Sequence, residues 1–206
     1  MIEVFADIVC PFTHVGLTRL AGRRAELGRS DVVFAVRSWP LEWVNGEPVD
    51  PAFIAHEVDL LRGGVAPDLF TDFRPDMFPA STIPALALTA TAYAAAADVG
   101  ERVALELRDL LFEQGVDIGD RAVLETLAES HQLTLPDTIE TVEADYEEGQ
   151  QRGVLGSPHF FVDGTGTFCP SLDISRPDGD MHIEFDHAAF EAFTDTLFTR
   201  EDKERQ

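Results

Sequence analysis

The first forty residues alternate between strand-like and helix-like patterns of apolar side chains. Residues 2–9 are mostly apolar, with Glu3 and Asp7 as the exceptions, and predict a buried strand. From Pro11 to Leu27 apolar side chains recur at helical spacing, and Gly28 ends the predicted helix. Residues 31–39, rich in valine and phenylalanine, are a second predicted strand. A strand, a helix and a strand in this order predict a βαβ unit whose two strands are parallel.

Between Asn45 and Gly153 the periodicity becomes that of helices throughout. Helices are predicted over residues 51–61, 81–99, 101–114, 120–129 and 137–153. Residues 63–79 contain glycine, prolines and three phenylalanines, and predict a loop or lid. The strand pattern returns in residues 157–162, followed by a hairpin turn at 163–166, a return strand over 167–169 and a final amphipathic helix over 186–199. We therefore divide the chain into residues 1–46, a helical insertion over 47–153, and residues 154–206.

Charge and cysteine content restrict the possible functions. The 206 residues include 38 acidic and 15 basic ones, giving a formal charge of −23. Such a surface repels nucleic-acid phosphates and anionic lipid headgroups, so we expect neither partner.

No apolar run is as long as a membrane span, and residue 2 already enters a strand without a leader pattern, so we expect a cytoplasmic protein. Two cysteines exclude a disulfide-rich scaffold and a cysteine-built zinc site, and the histidines do not have the spacing of a metal site.

The residue type best suited to chemistry lies at the first strand-to-helix junction. Cys10 directly precedes Pro11, and proline is best accommodated at the first position of a helix. Cys10 is therefore the predicted N-cap residue, with its sulfur near unpaired N–H groups and the positive end of the helix dipole. We expect its pKa to fall from about 8.5 into the range of roughly 3.5–7.5. The alternative is a small apolar residue capping a buried turn.

Two segments resemble a known family. The run Asp7-x-x-Cys10-Pro11-Phe12-Thr13 is similar to the active-site segment of DsbA-like proteins, particularly their FrnE-like branch, and residues 153–164 resemble the family's cis-proline strand. Residues 118–120 and the leucines after them match its inserted helices. The resemblance implies an α/β, thioredoxin-like fold with an inserted all-helical domain. It also implies that Pro158 is a cis-proline facing Cys10; a trans proline beginning an edge strand is the alternative.

Thr13 is where the sequence departs from this family. Dithiol members have a second cysteine at this position, which clears a mixed disulfide by internal attack, and threonine is not able to do so. The resulting C-x-x-T site resembles that of monothiol glutaredoxins, in which an outside thiol resolves the mixed disulfide. With a turn at 163–166, Cys169 would lie opposite Phe160 and roughly 10 Å from Cys10, beyond the reach of about 7 Å between Cα atoms that a disulfide requires. We therefore expect Cys169 to line the site or to pack beside it.

These considerations give a set of candidate site residues. The predicted catalytic residues are Cys10, Thr13 and Pro158. The candidate substrate contacts are Pro11, Phe12, His14, Ser157, His159 and Cys169. His14 and His159 are also candidates for tuning the charge of Cys10, although histidines in such positions are more often solvated or packed. The aromatic residues Phe12, Trp39, Phe70, Phe73 and Phe78 either line an apolar cleft between the domains or fill the core.

The resemblance implies a thiol–disulfide oxidoreductase or isomerase, of enzyme class 1 or 5, acting through a single nucleophilic cysteine. We expect no tightly bound cofactor or metal; glutathione or another low-molecular-weight thiol is the implied exchange partner, with a small thiol or disulfide as substrate. The chain is also similar in outline to kappa-class glutathione transferases and 2-hydroxychromene-2-carboxylate isomerases, which have a serine where this chain has Cys10. A catalytically degenerate thioredoxin-like binding module is the third interpretation. The sequence gives no indication of the oligomeric state.

Overall fold

A computed structural model describes residues 2–199 and shows a four-stranded mixed sheet at its centre. Strand β1 (Ile2–Ala6) pairs in parallel with β2 (Phe34–Ser38), and helix α1 (Pro11–Glu26) connects them. The predicted βαβ unit is therefore confirmed. The strand order is β2-β1-β3-β4, and β1 in the middle is buried because its apolar side chains meet helices on both faces of the sheet.

The hairpin that completes the sheet has a different register from the predicted one. Strands β3 (His159–Val162) and β4 (Thr165–Phe168) are antiparallel, with Val162 opposite Thr165. Asp163 and Gly164 both have positive φ angles, 50° and 78°, as a two-residue primed turn requires. The predicted turn of four residues is wrong, because Asp-Gly closes the hairpin alone. Cys169 consequently lies opposite Pro158 and not Phe160, and its N–H donates to the Pro158 carbonyl at 3.1 Å.

Six helices lie between the two halves of the sheet. They are α2 (Leu41–Asn45), α3 (Pro51–Gly63), α4 (Ile83–Ala95), α5 (Ala97–Phe112), α6 (Arg121–Ser130) and α7 (Glu140–Gln151), with a short 3₁₀ turn at Pro75–Met77. The break between α4 and α5 falls at Ala96, which is extended, and not near Gly100. Gly100 lies inside α5, where an added Cβ would be 2.2 Å from the Tyr93 ring. Its small size therefore serves close packing and not helix termination.

A second, two-stranded sheet follows the hairpin. Strands β5 (Leu172–Ser175) and β6 (His182–Phe185) are antiparallel, and helix α8 (His187–Thr199) comes after them. The sequence analysis did not predict these two strands, because each has only four residues and the segment between them is charged. The charged tail after residue 200 lies outside the described residues. No helix within residues 2–199 has the length and apolar character that crossing a membrane requires.

Most of the aromatic residues that were candidates for a cleft belong to the core. Phe70 and Phe73 are buried with residues of α1, α3, α4 and α5, so the segment around them is a packed loop. Trp39 is buried in a separate cluster with Phe5. Only Phe12, at the start of α1, borders the cavity described below. Of the two interpretations, filling the core holds for the other four, because apolar side chains are more stable when removed from water.

Candidate active site

Cys10 occupies the N-cap of α1, and Pro11 is the first helical residue, as the sequence predicts. The Cys10 side chain is only 3% exposed, but it borders a cavity of about 710 Å³. The cavity is lined by residues from the start of α1, from residues 41–57 and from the hairpin region; they are Cys10, Pro11, Phe12, Leu41, Asn45, Glu47, Pro48, Val49, Asp50, Phe53, Ile54, Glu57, Ser157, Phe168, Cys169, Ile174 and Arg176. This is the size of cavity that holds a small organic molecule.

The Ser157–Pro158 segment faces the Cys10 sulfur. The peptide bond between Ser157 and Pro158 is cis. The Cys10 thiol donates a hydrogen bond to the Ser157 carbonyl, with 3.0 Å between sulfur and oxygen. Ser157 itself lines the cavity, whereas Pro158, predicted as a catalytic residue, is not among the lining residues.

Two hydroxyl groups lie next to the thiol in a buried chain of hydrogen bonds. The Asp7 N–H donates to Ser157 Oγ at 3.0 Å, and Ser157 Oγ lies 2.8 Å from Thr13 Oγ1. Either hydroxyl can donate to the other, and the hydrogen of the accepting hydroxyl is then available to the sulfur. Thr13 is fully buried, so its hydroxyl has no water as an alternative partner. The arrangement favours a negative charge on Cys10 when one forms.

The pKa of Cys10 nevertheless shifts in the direction opposite to the predicted one. Burial raises the pKa of the Cys10 thiol above its ordinary value, and the hydrogen bonds from Thr13 and Ser157 oppose this without overcoming it. The negative charge of Glu57 raises the pKa further. The expectation of a depressed pKa is therefore wrong: removal of the sulfur from water outweighs the helix N-terminus. Cys10 at rest is a neutral thiol.

Asp7 holds the turn that carries Cys10. Its Oδ2 accepts from the Leu41 N–H at 2.6 Å and its Oδ1 from the Val9 N–H at 3.3 Å, and burial raises its pKa. The Asp7 carbonyl accepts a hydrogen bond from Arg108, which is 1% exposed. Burial lowers the pKa of Arg108 to about 10. The sequence analysis did not identify Arg108; its only signal was a charged residue between Leu107 and the apolar positions that follow it in α5.

Glu57 is an acidic residue of the site that was not predicted from the sequence. It lies in α3, 5% exposed, and lines the cavity together with Cys10. Burial raises the pKa of Glu57 to about 7, while the guanidinium of Arg176 opposes this change. The local signal was its position at helical spacing from Ile54 and Leu61, on the apolar face of the helix predicted over residues 51–61.

Neither histidine lies in the site. His14 Nε2 is 2.6 Å from Glu113 Oε1, and the His14 ring packs between Phe70 and Phe112 at centroid distances of 5.3 and 5.0 Å. As the fourth residue of α1 it points into the helical core and away from the cavity. The prediction that His14 contacts substrate or tunes Cys10 is therefore wrong.

His159 is oriented away from the cavity as well. Its ring stacks on Phe161, and its Nδ1 accepts from the Leu155 N–H at 3.1 Å. Burial, assisted by the charge of Arg152, lowers the pKa of His159. It does not line the cavity, so the prediction of a substrate contact or a tuning role for Cys10 is wrong here too. Adjacent strand residues point to opposite faces, and this alternation turns His159 to the far side of the sheet.

Four of the candidate contact residues do meet at the cavity: Pro11, Phe12, Ser157 and Cys169. Cys169 is a free thiol, as is Cys10. Burial raises the pKa of Cys169 to about 12, and the charge of Cys10 adds to this, so Cys169 is inert as a thiolate near neutral pH. Within residues 2–199 no three metal-ligating side chains come together.

Comparison with known proteins supports the fold. Residues 1–176 match the family model described as the DSBA-like thioredoxin domain. The cytosolic disulfide reductase DsbM from Pseudomonas aeruginosa is 14% identical, with 99% of this chain and 98% of that chain covered and a TM-score of 0.62. A structure of the same reductase with GSH is also 14% identical, with 100% and 99% covered and a TM-score of 0.56. A 2-hydroxychromene-2-carboxylate isomerase is 13% identical, with 81% and 87% covered and a TM-score of 0.60. Among curated proteins none matches this sequence significantly.

Proposed function

Because the chain belongs to the family of DSBA-like thioredoxin domains, we propose that it is a thiol–disulfide oxidoreductase that acts through Cys10 alone. The observation that carries this proposal is the Cys10 sulfur, 3.0 Å from the Ser157 carbonyl at the wall of a cavity of about 710 Å³. A disulfide entering the cavity meets a sulfur nucleophile there. The hydroxyl groups of Thr13 and Ser157 stabilise the thiolate during attack.

The proposed exchange has two steps, each of which conserves atoms and electrons. The Cys10 thiolate attacks one sulfur of a small disulfide; a new S–S bond forms, the old one breaks, and the leaving thiolate takes up a proton. A second small thiol then attacks the mixed disulfide and releases Cys10. Thr13 has no sulfur and does not perform this second step. The cycle therefore needs a pool of reduced thiol, which favours a reducing compartment.

Intact-mass spectrometry after incubation with 2-hydroxyethyl disulfide tests the proposal. We expect one adduct per chain, removed by excess dithiothreitol, retained in Cys169→Ala and absent from Cys10→Ala. An adduct that persists in Cys10→Ala would contradict the proposal. A loss of two hydrogens without any adduct would show pairing of Cys10 with Cys169 and contradict the single-cysteine mechanism.

A second candidate function follows from the protonation of Cys10. A neutral thiol that donates a hydrogen bond, as Cys10 does to Ser157, is able to donate one to the sulfur of a bound thiol cofactor. This would support a glutathione-dependent transferase or isomerase. Cys10→Ser separates the two candidates: a hydroxyl group still donates a hydrogen bond but does not form a mixed disulfide. Glutathione-dependent activity retained in Cys10→Ser would favour the second function, whereas loss of exchange favours the first.

A further inference from the structure

The charges around Cys10 lead us to infer the substrate class of this site, and the inference rests on the function proposed above. The site accepts small disulfides and thiols whose organic groups carry a protonated amine, and it discriminates against those that carry carboxylates. The volume of the cavity, about 710 Å³, fits a low-molecular-weight ligand.

The charged groups of the cavity wall are predominantly acidic. Among the described residues that line it, three carry carboxylates, Glu47, Asp50 and Glu57, and one carries a guanidinium, Arg176; lysine and histidine are absent from this lining. The wall therefore has a net negative charge whether Glu57 is ionised or protonated. An anionic ligand meets this charge of like sign on entering, and a cationic ligand is attracted by it.

The acidic groups are distributed over the depth of the cavity. Glu47 and Asp50 are exposed at its rim, and Asp50 also caps α3 by accepting from the Ala52 N–H at 2.9 Å. Glu57 is buried beside Cys10, and its carboxyl group makes no hydrogen bond to any residue in the described part of the chain. Its oxygens are thus available to accept from an N–H group of a ligand. An ammonium group of a ligand placed there would donate a charge-assisted hydrogen bond to this carboxyl group.

The apolar part of the cavity wall strengthens the preference for cationic ligands. Phe12, Phe53, Ile54, Phe168 and Ile174 line the cavity with apolar surface. Walls of low polarizability concentrate the field of nearby charges and reduce screening by water. The same side chains pack against the methylene groups that separate an amine from a disulfide. A short aminoalkyl disulfide therefore matches both the charge and the apolar character of the wall.

The charge of the whole chain acts in the same direction. With 38 acidic and 15 basic residues, the protein repels anions before they reach the cavity. Oxidised glutathione, which has more carboxylates than amines, approaches against this field. Arg176, exposed after β5, is the one wall residue that partly offsets it.

Rates of mixed-disulfide formation with three disulfides test the inference on the full chain. The probes are cystamine, which is cationic, 2-hydroxyethyl disulfide, which is neutral, and 3,3′-dithiodipropionate, which is anionic. Each rate is divided by that of 2-mercaptoethanol with the same disulfide, which removes differences in intrinsic reactivity. At low salt and pH 7 we expect the normalised rate for cystamine to exceed that for dithiodipropionate by about tenfold or more. At 1 M salt, where the Debye length is about 3 Å, the ratio should fall towards one.

Matched charge variants locate the effect. Glu47→Gln combined with Asp50→Asn should lower the cystamine preference severalfold, because asparagine keeps the helix cap while both charges are lost. Arg176→Gln should raise it. The control pair, Glu129→Gln with Asp137→Asn, removes the same charge from exposed positions outside the lining and should leave the preference nearly unchanged.

The outcomes distinguish this inference from the function on which it rests. Exchange with all three disulfides at normalised rates within about twofold, or faster exchange with dithiodipropionate, would overturn the inference while the oxidoreductase function stands. An equal loss of preference in the control pair would also overturn it, because the selectivity would then belong to the whole molecule and not to the cavity. No exchange with any of the three would overturn both.

Discussion

At the scale of single residues, the ionisation of Cys10 depends on two opposing effects. Its position before Pro11 places the sulfur at the N-terminus of a helix, which favours the thiolate. Its burial removes the sulfur from water, which favours the thiol, and burial is the larger effect. A thiol of raised pKa ionises less often near neutral pH, but its thiolate is intrinsically more nucleophilic.

The rate of iodoacetamide alkylation as a function of pH tests this balance. In a Cys169→Ala background we expect Cys10 to ionise with a midpoint above the free-thiol value of about 8.5. Glu57→Gln should move this midpoint to lower pH, because the negative charge of Glu57 raises the pKa of Cys10. Glu129→Gln, which removes an exposed charge elsewhere, serves as the control. A midpoint below that of a free thiol would contradict the assignment of a neutral resting thiol.

Thr13 is expected to stabilise the Cys10 thiolate through its hydroxyl group. Thr13→Val removes this group at nearly constant volume, and hydrogen bonds to charged groups contribute about 1.5–3 kcal/mol. The alkylation midpoint should rise, and disulfide exchange near pH 7 should slow by roughly 4- to 15-fold, because the higher nucleophilicity of the thiolate offsets part of its lower population. Thr13→Ser retains the hydroxyl and should exchange at close to the parent rate. Equal loss in both variants would point to packing of the Thr13 methyl group as the cause.

At the scale of secondary-structure elements, polar contacts fix α1 to the helices around it. His14 in α1 lies 2.6 Å from Glu113, which follows α5. The Glu113 carboxylate also accepts from the N–H groups of Phe70 and Thr71, at 2.7 and 3.0 Å. One side chain thus joins the helix that begins at Cys10 to α5 and to the packed loop. These hydrogen bonds attach the segment 63–79, which was predicted as a loop or lid, to the helical core.

The acid stability of the protein should depend on Glu113. Burial alone would raise its pKa, but hydrogen bonds from His14, Thr71 and Phe70 lower it from 4.5 to about 2. A carboxylate with a depressed folded-state pKa stabilises the fold above the unfolded-state value and loses this contribution as the pH falls towards 2. Glu113→Gln should therefore lower the free energy of unfolding by on the order of 2 kcal/mol at pH 7.

Urea denaturation from pH 7 to pH 2.5 measures this effect. The difference between the parent and Glu113→Gln should be constant above about pH 5.5 and shrink steadily below pH 4.5. Glu129→Gln, an exposed acid of α6, should show little difference at any pH. A difference between the parent and Glu113→Gln that does not vary with pH would contradict the assigned role of the Glu113 charge.

At the scale of the whole molecule, excess negative charge is the dominant global property. A formal charge of −23 on 206 residues destabilises the compact state by self-repulsion, which salt screens. Several basic residues are already engaged by acids; for example, Arg37 contacts Glu3, Asp145 and Glu148. The remaining carboxylates have few cations to neutralise them.

Moderate salt should therefore stabilise the fold. We expect the midpoint of thermal unfolding at pH 7.5 to rise by several degrees between about 10 and 300 mM NaCl, a change that shortens the Debye length from about 30 Å to less than 10 Å. The increment should shrink near pH 5, where the net charge is smaller because the sequence pI is about 4.3. A fall in the midpoint on addition of salt at pH 7.5 would show that attractive ion pairs outweigh the repulsion.

The sequence by itself determined the features that depend on neighbouring residues. The alternation of strand and helix predicted the βαβ unit, and Asp120 began a predicted helix that it caps through its side chain. The dipeptide Cys10-Pro11 placed the thiol at an N-cap. The family motifs gave the thioredoxin-like fold. These signals are local because hydrogen bonding and backbone restriction act over a few residues.

Only the tertiary structure decided which groups meet and how each one ionises. Glu57 comes to the cavity from α3, and Cys169 comes opposite Pro158 because a two-residue turn sets the hairpin register. His14 and His159, adjacent to site residues in sequence, point into other surroundings. Burial raises the pKa of Cys10 against the local helix effect, since the solvation of a charge depends on every element packed around it, and no short stretch of sequence contains that information.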